Sequence, residues 1–135
     1  MPDNTSVIAP KGLGVIFDCD GTLMDTVGGW RAVEREFARM CGHELTLDEL
    51  KLLGTFTLHE TGVFYHENYG LGKSPDHVVE MADEILVDFY RTQAELRPGV
   101  GDFLEGLARA DVPMTVASSS PQRYLQGGLR HAGII

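Results

Sequence analysis

The chain has 135 residues, 11 basic against 20 acidic side chains and a formal net charge of -9. A nucleic-acid binder needs a basic face, so that class is excluded. No run approaches the roughly 20 apolar residues of a membrane span, and the polar stretch Met1–Pro10 has no apolar signal segment.

Residues 1–12 read as a frayed tail rich in Pro, Asp, Asn, Thr and Ser. A strand follows from about Gly14 to Asp18, and its apolar run Val15-Ile16-Phe17 predicts a buried parallel strand. Next comes Asp18-Cys19-Asp20-Gly21-Thr22-Leu23-Met24-Asp25-Thr26. Two carboxylates one residue apart at a strand's carboxyl end stand where open α/β sheets bind ligands. They repel each other and lose water there, a cost that calls for a cation or a proton.

From residue 27 the pattern turns helical. Trp30, Val33, Phe37, Met40 and Cys41 recur at helical spacing among Arg31, Glu34, Arg35 and Glu36. Thr46-Leu47-Asp48-Glu49 and Thr57-Leu58-His59-Glu60 are capping boxes, with Gly54 and Gly70 as stops. Ser74-Pro75 starts a further helix with the stripe Val78, Ala82, Ile85, Leu86 and Phe89. Residues 27–95 therefore read as helix and turn throughout. Arg97-Pro98-Gly99 punctuates the chain, and Val100, Phe103, Leu104 and Leu107 mark another helix. Met114-Thr115-Val116-Ala117 reads as the second strand. Ser118-Ser119-Ser120-Pro121 then leads into a last helix, with Ser120 as cap and Pro121 as its first residue. Gly127-Gly128 weakens that helix by about 1 kcal/mol per glycine.

A right-handed crossover joins parallel neighbours, so Asp18 and Asp20 should face Ser118 and Ser119 across one crevice. Those parts suit phosphoryl transfer. A carboxylate can attack phosphorus, a second can handle the leaving group's proton, and hydroxyl and N–H groups can hold phosphoryl oxygens. Magnesium prefers such oxygen ligands.

Asp18-Cys19-Asp20-Gly21-Thr22-Leu23 with Asp25-Thr26 resembles the first motif of the haloacid dehalogenase superfamily, and the strand ending in Ser118 resembles its second. The helical insert and Arg97-Pro98-Gly99-Val100 are similar to the beta-phosphoglucomutase-like branch. The resemblance runs from about Gly14 to Ile135. It implies an α/β fold: a Rossmann-like core with a parallel sheet, here incomplete, over 1–26 and 97–135, and an inserted α-helical cap over 27–96. It also implies a phosphatase that acts on a small phosphorylated metabolite through an aspartyl-phosphate, with Mg2+ as cofactor. Asp18 would be nucleophile and Asp20 general acid/base, both at the metal through the Asp18 carboxylate and the Asp20 carbonyl. Ser118, with N–H groups around Gly21, Thr22 and Ser119, would bind phosphate.

Trp30 and Thr57 stand where mutase members carry a cap His and, nearby, a phosphate-clamping Arg, so a monophosphatase is favoured over a phosphosugar mutase. The family also needs a Lys and a further acidic motif after the second motif's helix, and this chain stops at Ile135. A truncated piece or split gene product, catalytically poor by itself, is therefore expected. Its incomplete sheet favours self-association.

Competing readings are a receiver-like signalling module, disfavoured by the ~70-residue insertion between the strands, and a non-catalytic interaction protein. Cys19 and Cys41 lack metal-ligand spacing and read as free thiols, Cys19 as a packing residue. His59 and His66 read as solvated or packing. Trp30, Phe56, Phe64 and Tyr65 read as core rather than substrate-pocket lining, and the Arg31-Arg35-Arg39 ridge as a solvated face. A cytoplasmic location is expected.

Overall fold

The computed structural model describes residues 11–135. The sequence reading of residues 1–10 as tail lies outside that range. The element order is β1 (Val15–Phe17), β2 (Met24–Asp25), α1 (Val27–Cys41), α2 (Leu47–Leu53), α3 (Leu58–Tyr69), α4 (Pro75–Thr92), β3 (Glu95–Leu96), α5 (Val100–Arg109), β4 (Met114–Val116) and α6 (Gln122–His131). Residues 28–89 form one compact unit; the flanking chain, through 27 and from 90 onward, forms another. No helix among the described residues is long and apolar enough to cross a membrane.

In the flanking unit, β1 and β4 pair in parallel, Val15 opposite Met114 and Phe17 opposite Val116. The ladder continues past both ends through Val15 N–H to the Pro113 carbonyl and Ala117 N–H to the Phe17 carbonyl. It is a two-stranded sheet. The expected buried strand is corrected here: Ile16 is 72% exposed, Met114 is 39% exposed, and Val15 and Phe17 are half-buried. Two strands alone offer little face to cover; Phe17 meets Phe103 of α5 edge-on at 6.2 Å.

A second ladder was not expected. β2 and β3 pair antiparallel, Met24 opposite Leu96 and Asp25 opposite Glu95, so residue 95 is strand rather than helix or turn. The core of this unit is Leu23, Met24, Tyr90, Ala94, Leu104, Leu107, Val112, Tyr124 and Leu129. Tyr90 and Tyr124 stack with centroids 5.3 Å apart. A Cβ on Gly128 would lie 3.0 Å from the Met24 sulfur and 3.3 Å from the Tyr90 ring. The glycine that costs α6 propensity thus admits close packing.

The helical unit is started and stopped by short-range chemistry. Both capping boxes form: Thr46 with Glu49 opens α2 and Thr57 with Glu60 opens α3. Gly70 ends α3 at φ 66°, in the left-handed region. Ser74 Oγ accepts from His77 N–H at the start of α4. His66 Nδ1 lies 2.8 Å from the Leu71 carbonyl, a structural role just past the end of α3.

α1 buries Gly29, Val33 and Phe37. Val33 and Phe37 of the expected stripe are buried, but Trp30 and Met40 are 46% and 45% exposed, and Gly29 is buried where Trp30 was expected. A Cβ at Gly29 would sit 2.9 Å from the Phe89 ring, so aromatic packing selects that face. Phe37, Tyr65, Val78, Ala82 and Leu86 complete the core, with Phe37 and Tyr65 edge-to-face at 4.9 Å.

α3 and α4 approach closely at Gly62, where a Cβ would stand 2.6 Å from the Pro75 carbonyl oxygen and 2.8 Å from Val79. Gly62→Ala is expected to destabilise the chain by about 1–3 kcal/mol in urea unfolding, overpacking outweighing the roughly 1 kcal/mol gained in helix propensity. Gly101→Ala, whose new methyl would meet Leu96 at 3.7 Å, serves as the control and should be neutral or stabilising. Equal effects of the two substitutions would contradict this packing.

Candidate active site

The site is built where β1 ends. After Phe17 the chain turns sharply, and the N–H groups of Thr22, Leu23 and Met24 all donate to the Cys19 carbonyl, at 3.1, 2.9 and 3.1 Å. Gly21 sits at φ 75°, a conformation that glycine adopts without strain, and its N–H donates to the Met24 carbonyl at 2.8 Å. Successive side chains therefore go different ways. Asp18 is exposed, Cys19 is fully buried, and Asp20 is half-buried.

Asp18 Oδ2 accepts one hydrogen bond, 3.0 Å long, from the Thr22 hydroxyl. That bond fixes the carboxylate and leaves its other oxygen facing outward. The Cys19 thiol is pushed up to about 11 by burial and by the charges of Asp20 and Asp18. It is a protonated packing group, not a nucleophile.

The Asp20 carboxylate is the centre of the arrangement. Oδ1 accepts from the Thr26 hydroxyl at 3.0 Å and from the Tyr90 phenol. Oδ2 accepts from Ser120 Oγ at 2.5 Å and from Ser118 Oγ at 3.4 Å. Ser118 Oγ in turn accepts from Ser120 N–H at 3.1 Å. Burial is the largest single influence on this carboxyl and opposes its ionisation. The hydroxyls of Ser120, Tyr90, Thr26 and Ser118 together override it and hold the group below its ordinary range.

Asp20 and Ser118 are thus brought together, and Asp18 is tied to Thr22. Ser119 is exposed beside them. Two expectations are corrected. The N–H groups of Gly21 and Thr22 are consumed by the turn and are not free for phosphate; those of Cys19 and Ser119 donate no hydrogen bond among the described residues. Ser120 does not cap α6, which starts at Gln122 after Pro121 with no side-chain cap; its hydroxyl serves Asp20 instead.

Three participants escaped the sequence reading. Thr26 lay inside the motif without an assigned role. Ser120 carried a cap signal. Tyr90, 70 residues from Asp20, gave no signal at all.

For magnesium, the available donors are the free oxygen of Asp18 and the Asp20 carbonyl, which accepts none of the turn's hydrogen bonds. The Asp20 carboxylate has its lone pairs occupied. No group of three His, Cys, Asp or Glu side chains among the described residues forms a metal cluster. Two oxygen donors fit magnesium as a partial set, since this ion keeps several waters and takes substrate oxygens.

Tyr90→Phe removes one donor from a charged acceptor and is expected to cost about 1–2 kcal/mol. Asp20, depressed in the fold, contributes stability that is present above the unfolded carboxyl value of about 3.9 and lost as pH falls through its lower folded value. The penalty should therefore shrink on acidification through that range. Urea unfolding of both proteins at neutral and acidic pH measures it, and a pH-independent penalty would show that the phenol acts elsewhere.

A search of curated protein sequences finds no significant match. A protein-family model described as haloacid dehalogenase-like hydrolase matches residues 15–135. Among solved structures, an Entamoeba histolytica HAD hydrolase of family IA, variant 3, is similar at TM-score 0.71 and 21% identity, over 90% of this chain and 56% of that one. A candidate beta-phosphoglucomutase from Thermotoga maritima is similar at TM-score 0.70 and 26% identity, with the same coverage. CbbY from Rhodobacter sphaeroides, solved with phosphate, is similar at TM-score 0.65 and 22% identity, over 89% of this chain and 56% of that one. The chain spans little more than half the length of each. With an aspartate-bearing strand end beside a serine-bearing one, and a family match covering almost all described residues, the chain belongs to the haloacid dehalogenase-like hydrolases.

Proposed function

We propose that this chain carries the nucleophile and acid/base residues of a magnesium-dependent phosphatase that acts on a small phosphomonoester through an aspartyl-phosphate. The observation that carries this reading is the division of labour between neighbouring carboxylates: Asp18 is exposed and aligned by Thr22, and Asp20 is sequestered by hydroxyls and linked to Ser118. Environments that separate two acids in this way are how one site runs both steps of a displacement.

Asp18 attacks phosphorus with its outward oxygen; the bond from phosphorus to the leaving oxygen breaks, and that oxygen takes a proton. Asp20 is the proton carrier. With four hydroxyl donors it rests as a carboxylate, so the first half needs the form in which it has taken a proton from solvent and given up at least one of those donors; it passes that proton to the leaving oxygen and returns to the carboxylate. In the second half it takes a proton from the water that cleaves the aspartyl-phosphate. The Ser118 hydroxyl and the N–H groups of Cys19 and Ser119 hold phosphoryl oxygens. Magnesium, bound by the Asp18 carboxylate and the Asp20 carbonyl, would supply neutralisation of the charge on nucleophile and phosphate.

A phosphosugar mutase is the second reading, supported by the 26% identity to the Thermotoga protein. Trp30 and Thr57, in place of a His and an Arg, favour the phosphatase. The metal set is partial: among the described residues no three His, Cys, Asp or Glu side chains converge on a metal position. We therefore infer slow turnover by this chain alone.

Asp18→Asn is expected to lower magnesium-dependent release of phosphate from p-nitrophenyl phosphate by at least about three orders of magnitude, or to background. Mass spectrometry of acid-quenched protein should find one phosphoryl group on Asp18 in the unmodified chain and none in the variant. Undiminished phosphate release by the variant would overturn the assignment.

A further inference from the structure

The four donors to the Asp20 carboxylate form two unlike pairs. Oδ1 accepts from Thr26, at 3.0 Å, and from the Tyr90 phenol. Both of these donors belong to the interior: Thr26 is 5% and Tyr90 4% exposed. The Tyr90 ring stacks on Tyr124, and a Cβ on Gly128 would already stand 3.3 Å from it, so the phenol has little room to turn away.

Oδ2 is held differently. Its donors are two half-buried serines of the loop after β4, and the Ser118 bond, at 3.4 Å, is the longest of the four. A serine hydroxyl has one hydrogen to give. On the phosphatase reading, bound phosphate claims the hydrogen of Ser118, and the oxygen that loses a donor is then Oδ2 and not Oδ1.

We propose that Tyr90 is a positioning residue of the reaction: its phenol pins Oδ1, which makes Oδ2 the oxygen that carries the proton to and from the substrate. The inference rests on the phosphatase reading. Tyr90 acts through the carboxylate and not on the reacting atoms. Without the phenol, Oδ1 keeps Thr26 alone, and the carboxyl plane turns about its broad terminal torsion. A misplacement of about 1 Å costs a transfer step as much as about 100-fold.

Tyr90→Phe keeps the ring stack and removes the donor. Two substrates of similar shape test it: p-nitrophenolate leaves without a proton, whereas the more basic phenolate needs one. First-turnover release, with the chain in excess over substrate, isolates this step from the later hydrolysis. In the variant, release from phenyl phosphate should slow about tenfold to 100-fold more than release from p-nitrophenyl phosphate, at unchanged apparent affinity for either. Thr26→Val, which removes the other donor to Oδ1, should give the same selective loss and carries the comparison if Tyr90→Phe fails to fold. Equal slowing of the two substrates, the mark of a merely structural loss, or no slowing of either would overturn the proposal. If the unmodified chain released neither phenol, the phosphatase reading would fail by itself. Crystals of the two chains would then decide the positioning role, and an Asp20 carboxylate oriented alike in both would overturn it.

Discussion

A half-buried carboxylate surrounded by hydroxyls governs the flanking unit. Taking a carboxylate out of water costs several kcal/mol. Hydrogen bonds to a charged group contribute about 1.5–3 kcal/mol each, and Asp20 accepts four. The bonds win, which is why the carboxyl stays ionised despite burial. The same four bonds draw together the end of β1, the residue after β2, the end of α4 and the loop after β4. Segments that a two-stranded sheet could not hold by itself are fastened through one side chain.

That arrangement also explains how two aspartates one residue apart coexist. The turn hydrogen bonds onto the Cys19 carbonyl rotate the chain so that Asp18 faces outward and Asp20 inward. Their charges are answered separately, by water and Thr22 for Asp18 and by buried donors for Asp20. Between them Cys19 fills the interior with a thiol kept protonated by burial and by both neighbours. Gly128 belongs to the same construction. Its missing side chain lets Met24 and Tyr90 close against α6, and Tyr90 is then rigid enough to present its phenol to Asp20.

What the sequence disclosed was what few adjacent residues decide. Thr46 with Glu49, Thr57 with Glu60, Ser74 before Pro75 and Gly70 each need only a turn of chain, and each acts as read. The Asp-x-Asp-Gly-Thr segment was legible for the same reason. Features that depend on distant partners were not. β2 and β3 are two residues each, too short for any periodicity. Ser120 looked like a helix cap because capping is the commoner fate of a serine before proline, and only the fold brings it to Asp20. On α1, Val33 and Phe37 act as read, whereas Trp30 is exposed because Phe89, far along the chain, packs on Gly28 and Gly29. Apolar β1 promised burial, and its exposure follows from having one strand partner.

The two units treat buried polarity in opposite ways. Around Asp20 every lone pair finds a donor. In the helical unit the Tyr65 hydroxyl is buried beside aromatic rings without any. Packing alone does not call for it, since phenylalanine would keep the edge-to-face contacts with Phe37 and Phe64 and shed the desolvation cost. The neighbouring polar groups of that unit are already occupied: Thr61 Oγ1 donates to the Thr57 carbonyl, and the Tyr69 phenol donates to Glu49. The Tyr65 hydroxyl is thus a donor closed off from water and from any acceptor, a cost that the packing of the helical unit around it has to offset.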